Sequence, residues 1–413
     1  MPKYAIHLFM PATVLLLSAI LIALPSTGAA AGSPGAGSPG AGSPAAPIIP
    51  APPQLAAEGY LLLDADTGRV LVEHNSKQRL PPASLTKIMT SYVAAEEIER
   101  GTLTETEEVD VSVKAWRMEG SRMFIQEGTK VSVDQLLKGI IIQSGNDASV
   151  AMAEHIAGGE DAFADVMNQH AMRLGMSDTN FKNATGLPDE DHYTTASDLA
   201  KLTIALINRH PEHYKLYSEK SFRYNEINQS NRNKLLWADR SVDGVKTGHT
   251  EAAGYCLVAS AVRNNMRLIS VVMGTKSEKA RATESQKLLS YGFRYFETVR
   301  LYDAREILNT VRLWNAEVSS VSMGLGEAVV LTLPRGAKGS LSATMDVESV
   351  ILGPISAGQA LGQLTVSMGD NVVYEGPLIA LADIPEAGFF KRMWHSLSLF
   401  ALQLFGGDPL KIP

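Results

Sequence analysis

The chain has 413 residues, 45% of them hydrophobic and 20% charged, which is an ordinary globular composition and enough length for two or three domains with their own cores. A net charge of −7, sparse aromatics and the lack of a basic run argue against a nucleic-acid partner. Cys256 is the only cysteine, so no internal disulfide can form, and its apolar setting, Tyr255-Cys256-Leu257-Val258, reads as a buried small hydrophobe.

Residues 1–31 read as an export signal. Lys3 gives a weakly basic start, the run from Ala12 to Leu24 is apolar, and Ala29-Ala30-Ala31 offers small residues for cleavage. An apolar core of about 13 residues fits a signal peptide and falls short of the ~20 that span a bilayer. An uncleaved anchor is the alternative. Residues 32–54, with their Gly-Ala-Gly-Ser-Pro repeat followed by Pro50, Pro52 and Pro53, read as a disordered spacer.

Residues 55–298 read as one α/β unit. Tyr60 to Leu63 and Val70 to Glu73 are strands around the turn Asp66-Thr67-Gly68. Helices are expected from Leu85 to Arg100, closed by Gly101, and from Asp161 to Leu174, closed by Gly175. Thr195-Ala196-Ser197-Asp198 forms a capping box for a helix running towards Asn208. Gly254 to Val262 and Met266 to Met273 read as a hairpin of buried strands.

Residues 299–384 change pattern. Short apolar runs broken at Gly353-Pro354, Gly369-Asp370-Asn371 and Gly376-Pro377 indicate a small all-β domain without evident chemistry. In residues 385–413, Phe389, Phe390, Met393, Trp394, Leu397, Phe400 and Leu404 recur at helical spacing, with Lys391, Arg392, His395 and Ser396 on the other face. Such a helix either packs on the β domain or lies on a membrane surface. Its place after Pro385 and its aromatic content favour the membrane.

Three strings carry the chemistry: Ser84-Leu85-Thr86-Lys87, Ser144-Gly145-Asn146 and Lys246-Thr247-Gly248. Each is weak alone, but three in this order are specific, and together they match the motif set of penicillin-interacting serine enzymes. A serine hydroxyl needs a base within reach, and the i, i+3 spacing puts Lys87 beside Ser84 at a helix start. Lys87 must be neutral to act, and both burial and a nearby cation such as Lys246 would lower its pKa. Ser144 can relay a proton. Asn146 can hold Lys87 and donate to a substrate carbonyl. If Lys246-Thr247-Gly248 ends an edge strand, an extended peptide can pair with it, and Gly248 lets the ligand lie flat. No zinc frame, nucleotide loop or Gly-x-Ser-x-Gly elbow is present.

The stretches Gln143 to Ala148, Asn231-Arg232-Asn233 with Leu235-Leu236-Trp237, and Asp243 to Thr250 resemble the D-alanyl-D-alanine carboxypeptidases of the penicillin-binding protein 5 and 6 type, from about residue 56 to the end. That resemblance implies a fold class: an α/β, β-lactamase/transpeptidase-like catalytic domain with an antiparallel sheet flanked by helices, then a small all-β domain and a C-terminal amphipathic helix. It implies acylation of Ser84 by peptidoglycan pentapeptide stems, with release of the terminal D-alanine and hydrolysis by water. Lys87 would be the general base, and Ser144, Asn146 and Lys246 would complete the proton network. The backbone N–H groups of Ser84 and His249 would form the oxyanion hole, and Thr247 and Arg232 would hold the terminal carboxylate. β-Lactams would acylate the same serine. No cofactor or metal is implied. The last helix would attach the exported enzyme peripherally to the periplasmic side of the cytoplasmic membrane.

Two other readings remain at this level. A class A β-lactamase needs a glutamate for deacylation, and Glu190 in Leu187-Pro188-Asp189-Glu190-Asp191 lacks the Glu-x-x-Leu-Asn frame. A non-catalytic peptidoglycan-binding scaffold would be expected to lack a nucleophile or base, and both residues are present. The segment around Trp116 to Ser121 is expected near the mouth of the site, where it could alter deacylation.

Overall fold

The computed structural model describes Ala5–Leu8 and residues 49–412, and the chain divides into two compact units, 49–298 and a second built on residues from 299 onwards. Apart from Ala5–Leu8, a strand beside Leu341–Val347, the export-signal reading lies outside the described residues, as does the spacer up to residue 48. Residues 49–54 are not free coil: the Tyr291 hydroxyl donates to Pro50 O (2.9 Å), and Ile49 and Leu55 pack beside it.

The first unit is built on a five-stranded antiparallel sheet. Its strand order is Val70–His74, Gly59–Asp64, Met266–Thr275, Gly254–Arg263, Val242–Thr250. Side chains alternate across the sheet, as the two-residue period requires. Leu61, Leu63, Val258 and Val271 face one core with Ile88, Met89 and Leu199, while Tyr60, Leu62, Leu257 and Val272 face another with Leu288 and Leu289 of the helix Glu278–Tyr295. Among the described residues the strand Val242–Thr250 pairs with another strand on one side only, so it forms an edge of the sheet.

The helices on the first face follow local signals. Thr195 Oγ1 accepts from Asp198 N (3.0 Å) and opens Ala196–Arg209, as the capping box predicts. The helix expected from Leu85 begins differently: Ala83–Thr86 is a 3₁₀ turn, and the α-helix is Lys87–Glu99. A second helical lobe contains Val133–Lys138, a π-helical turn Gly139–Gln143, and Asn146–Ala157.

In the second unit, the sheet order is Ala5–Leu8, Leu341–Val347, Ala360–Met368, Asn371–Ala380, Ser320–Gly324, Asn309–Arg312. Gly376-Pro377 does not break an apolar run; both residues lie inside Asn371–Ala380. Proline is tolerated there because Asn371–Ala380 pairs with Ser320–Gly324 only at Ile379 and Ala380, leaving Pro377 on an edge.

The helix Phe389–Leu404 belongs to this unit and has no buried residue. Its partly covered face carries Arg392, His395, Leu399 and Leu402, and Asn315 N donates to His395 Nδ1 (2.9 Å). Phe389, Phe390, Met393, Trp394, Leu397, Phe400 and Leu404 are exposed. The apolar stripe therefore points away from the β core. The chain after the helix returns to the domain: Trp314 Nε1 donates to Pro409 O (2.9 Å) and Arg312 N to Leu410 O (3.0 Å).

Candidate active site

Four segments converge on Ser84. The first is its own 3₁₀ turn, entered through Ala83 at φ 47, a left-handed conformation that costs a non-glycine residue of order 1 kcal/mol. The second is the Ser144-Gly145-Asn146 corner. The π-helical turn ends at Ser144, also left-handed at φ 66, so that the chain reverses and Asn146 starts the next helix. Backbone strain and a π turn at one corner are features concentrated at functional sites. The third is the edge strand through Lys246, and the fourth is the loop at Thr185-Gly186.

Two glycines explain how closely these pieces approach. Gly186 has φ +85, and a Cβ there would lie 1.8 Å from Ala83 O, so only glycine lets this loop touch the serine turn. A Cβ on Gly248 would meet Pro82 O at 3.0 Å and Leu85 N at 3.2 Å. Gly248 thus brings the edge strand against the nucleophile turn, a different reason for glycine from the flat-lying ligand expected from sequence.

Lys87 is fully buried and its Nζ has three neighbours: Ser84 Oγ at 3.1 Å, Asn146 Oδ1 at 2.7 Å and Thr185 O at 2.5 Å. The two carbonyl oxygens can only accept. A neutral amine with two N–H groups satisfies both and turns its lone pair towards the Ser84 hydroxyl. Burial lowers the Lys87 pKa from 10.5 to about 7; the Asp147 and Glu160 carboxylates oppose this and the Arg232 charge adds to it. Arg232 is thus a further cation acting on Lys87, beside the Lys246 expected from sequence. Lys246 is itself held well below its ordinary value, by burial and then by the charges of Lys87, Arg232 and Arg281. Its Nζ donates to Ser144 Oγ (2.8 Å) and Thr247 O (3.1 Å).

Asn146 is more constrained than sequence suggests. Its Nδ2 already donates to Glu119 O (2.7 Å), and its backbone N–H donates to Ser121 O (2.7 Å). One amide hydrogen remains for a substrate. The Trp116 to Ser121 segment thus meets the site through main-chain carbonyls.

The cleft has a volume of about 320 Å³ and is lined by Ser84, Ser121, Ser144, Asn146, Leu187, Arg232, Thr247, Gly248, His249 and Arg281. Arg232 is exposed and uses Nε on Gln143 O (3.1 Å), which leaves the outer edge of its guanidinium for a ligand. His249 is exposed and stacks on Tyr255, with centroids 3.9 Å apart. Cys256 is buried, its thiol pushed up to about 11 by burial, in keeping with an inert role. Among the described residues no cluster of metal-ligating side chains occurs.

Sequence reading missed three contributors. Asp147 is buried and accepts from Met123 N (2.9 Å), Phe124 N (2.8 Å), Ile125 N (3.3 Å) and Ala148 N (2.9 Å), tying down the loop beyond Ser121. An acidic residue in a helix first turn was its only sequence signal. The Thr185 carbonyl has no sequence signature. Arg281 is buried, donates to Gly248 O (3.1 Å) and brings a second guanidinium to the cleft; nothing in its helical context marks it.

Comparison with known proteins agrees with this geometry. The family profile for D-alanyl-D-alanine carboxypeptidase matches residues 46–277, and that for the penicillin-binding protein 5 C-terminal domain matches residues 296–386. The chain is 42% identical over 362 residues to the D-alanyl-D-alanine carboxypeptidase DacC of Escherichia coli, covering 86% of this chain and 90% of that protein. It is likewise 42% identical to DacA of the same organism over 367 residues, 87% of this chain and 91% of that one. The crystal structure of penicillin binding protein 5 from Haemophilus influenzae superposes with a TM-score of 0.77 at 40% identity, over 81% of this chain and 99% of that one. With its serine beside a buried lysine, its edge strand and its second β domain, the chain belongs to the D-alanyl-D-alanine carboxypeptidase family of penicillin-binding serine hydrolases.

Proposed function

We propose that this chain removes the terminal D-alanine from peptidoglycan pentapeptide stems through an acyl-enzyme at Ser84, and that penicillins acylate the same oxygen. The supporting observation is the Lys87 amine, committed to two carbonyl acceptors and directed at Ser84 Oγ. Ser84 Oγ attacks the carbonyl of the penultimate residue as its proton passes to Lys87 Nζ. Backbone N–H groups of Ser84 and His249 stabilise the oxyanion. Collapse breaks the peptide bond, and the proton taken up by Lys87 passes through Ser144 to the leaving amine, with Lys246 and Asn146 holding the relay, which returns Lys87 to the neutral amine. Thr247 and the free edge of Arg232 bind the terminal carboxylate, which the planar guanidinium can grip with two hydrogen bonds. Water, activated by the same Lys87, then hydrolyses the ester.

The test uses protein lacking residues 1–31 and a peptide ending in D-Ala-D-Ala. Release of free D-alanine, blocked by penicillin, is expected. A stable penicillin adduct without any release would overturn the carboxypeptidase reading in favour of a scaffold, and rapid turnover of a chromogenic cephalosporin would favour a β-lactamase.

The exposed stripe of Phe389–Leu404 supports peripheral attachment of this exported enzyme to the periplasmic side of the cytoplasmic membrane. Among the described residues no helix is long and apolar enough to cross a membrane. Phe390→Asp with Phe400→Asp should abolish co-sedimentation with anionic vesicles and leave hydrolysis of a soluble peptide unchanged. Undiminished sedimentation would exclude the helix as the anchor.

A further inference from the structure

The loop 181–192 supplies Lys87 with the Thr185 carbonyl, and three contacts stitch this loop to the serine turn and the helix that follows it. Lys87 Nζ donates to Thr185 O (2.5 Å), Thr90 Oγ1 donates to Ala184 O (2.7 Å), and Thr86 Oγ1 lies 2.9 Å from His192 Nε2. In the first two the loop offers main-chain oxygens, which any residue would provide. In the third it offers a side chain, so this is the one of the three that a change of residue type in the loop removes. Thr86 and Thr90 are fully buried and stand four residues apart, on one helical face.

His192 is itself buried and held from its other side. Lys182 N donates to Nδ1 (3.3 Å), His192 N donates to Asp189 O (3.1 Å), and the ring stands edge-on to Phe181 with centroids 5.8 Å apart. An acceptor at Nδ1 places the ring hydrogen on Nε2, which therefore donates to Thr86 Oγ1. Burial lowers the His192 pKa to about 4; Asp189 opposes this and the charge of Lys87 adds to it. The ring is thus neutral, with both bonds intact, over the range in which Lys87 titrates. Leu80 and Thr194 exchange both main-chain bonds (2.8 and 3.0 Å), which fixes the chain just after His192 to the approach to the serine turn.

The proposed chemistry asks two things of this loop: that Thr185 O stays on Lys87, and that water stays away from an amine kept neutral first of all by burial. Resting on the reading of Lys87 as the base, we infer that His192 is a positioning residue, which clamps Thr86 to Lys182 and so holds the loop closed over the Ser84–Lys87 pair. It touches no reacting atom; its effect passes through Thr86 and the Thr185 loop. The charged groups that act on Lys87, namely Asp147, Glu160, Arg232 and Lys246, come from other segments. A loosened loop therefore acts by admitting water, which moves Lys87 back towards 10.5.

Acylation of Ser84 by a fluorescent penicillin, followed as a second-order rate against pH, tests this. His192→Phe keeps a ring in place and removes both hydrogen bonds. Its midpoint should rise from about 7 by roughly one unit, lowering the rate near neutral pH by roughly five-fold and leaving the alkaline plateau unchanged, because only the neutral fraction of the amine has changed. His192→Gln should restore the native midpoint, since its amide oxygen can accept from Lys182 N and its N–H can donate to Thr86. Thr86→Val cuts the same bond from the other end. It should raise the midpoint by itself and add nothing to His192→Phe, and it carries the test if the phenylalanine variant does not fold. A lowered plateau with an unmoved midpoint would mean a merely structural role and overturn the assignment, as would a glutamine variant as impaired as the phenylalanine one. A native rate that does not change with pH near neutrality would instead refute Lys87 as the base, and the positioning role with it.

Discussion

The two units of this chain treat buried polarity in opposite ways. In the first, Lys87, Lys246, Asp147, Arg281, Glu284 and His192 are all buried, and two non-glycine residues beside Ser84 and Asn146 hold left-handed backbone. In the second, among the described residues, Thr332 is the one polar side chain that is buried, around a core of Val311, Met323, Leu364, Leu378 and similar residues. Burying ions is costly unless they are paired, and strained backbone must be held by its surroundings. The cost falls where a neutral amine at ordinary pH is needed. The β unit buries no ion among the described residues, although Arg305 (φ 60) and Asn315 (φ 57) hold left-handed backbone there too.

Three experiments sharpen that contrast. The largest effect is expected for Ser84→Ala, which should abolish the penicillin adduct and lower D-alanine release by at least ~10³-fold, the scale seen for nucleophile removal. Residual release near the native rate would mean the buried cluster is not the site of chemistry. Next, Lys87→Met should lower acylation by ~10²- to 10⁴-fold, as expected for loss of a general base, and should lower Tm as well, because Asn146 Oδ1 and Thr185 O lose their buried donor. The native enzyme should acylate faster as pH rises through about 7, where Lys87 loses its proton. Stability moves the same way: the unfolded lysine keeps its proton to about 10.5 and the folded one to about 7, so between these values the unfolded state binds more protons and the fold gains stability as pH rises. The difference in stability between native protein and Lys87→Met, followed against pH, isolates this contribution; a flat difference would refute the lowered pKa. The smallest effect on chemistry belongs to Leu378→Ala in the β unit. It should cost about 2–5 kcal/mol by opening a cavity, read from denaturant unfolding, with kcat on a soluble peptide unchanged.

Much of this architecture was legible because local and global signals agree. Thr195 with Asp198, the paired apolar runs around Asn264-Asn265, and the three-residue spacing of Ser84 and Lys87 each state a backbone geometry in residue types. The parts that were not legible depend on main-chain atoms or distant packing. Thr185 offers Lys87 a carbonyl, which any residue could do, and its loop is admitted only because Gly186 clears Ala83. The π turn before Ser144 changes the hydrogen-bond period without changing composition. Pro377 read as a break because an isolated sequence does not say which strand edge is unpaired.

The return of the chain after Phe389–Leu404 has a practical consequence for anyone making a soluble form. Removing everything from residue 389 would take away the apolar stripe, but also Pro409 O and Leu410 O, which accept the Trp314 indole and Arg312 N–H, and His395, which accepts Asn315 N–H. Trp314 is fully buried, so its stranded donor would cost about 1–3 kcal/mol and open that end of the β core to water. A truncated protein therefore confounds loss of lipid binding with a loosened domain. The same indole, sealed by the tail and flanked by Arg312 at 3.8 Å, would report whether the tail is seated through its emission once the other three tryptophans, Trp116, Trp237 and Trp394, are replaced by phenylalanine.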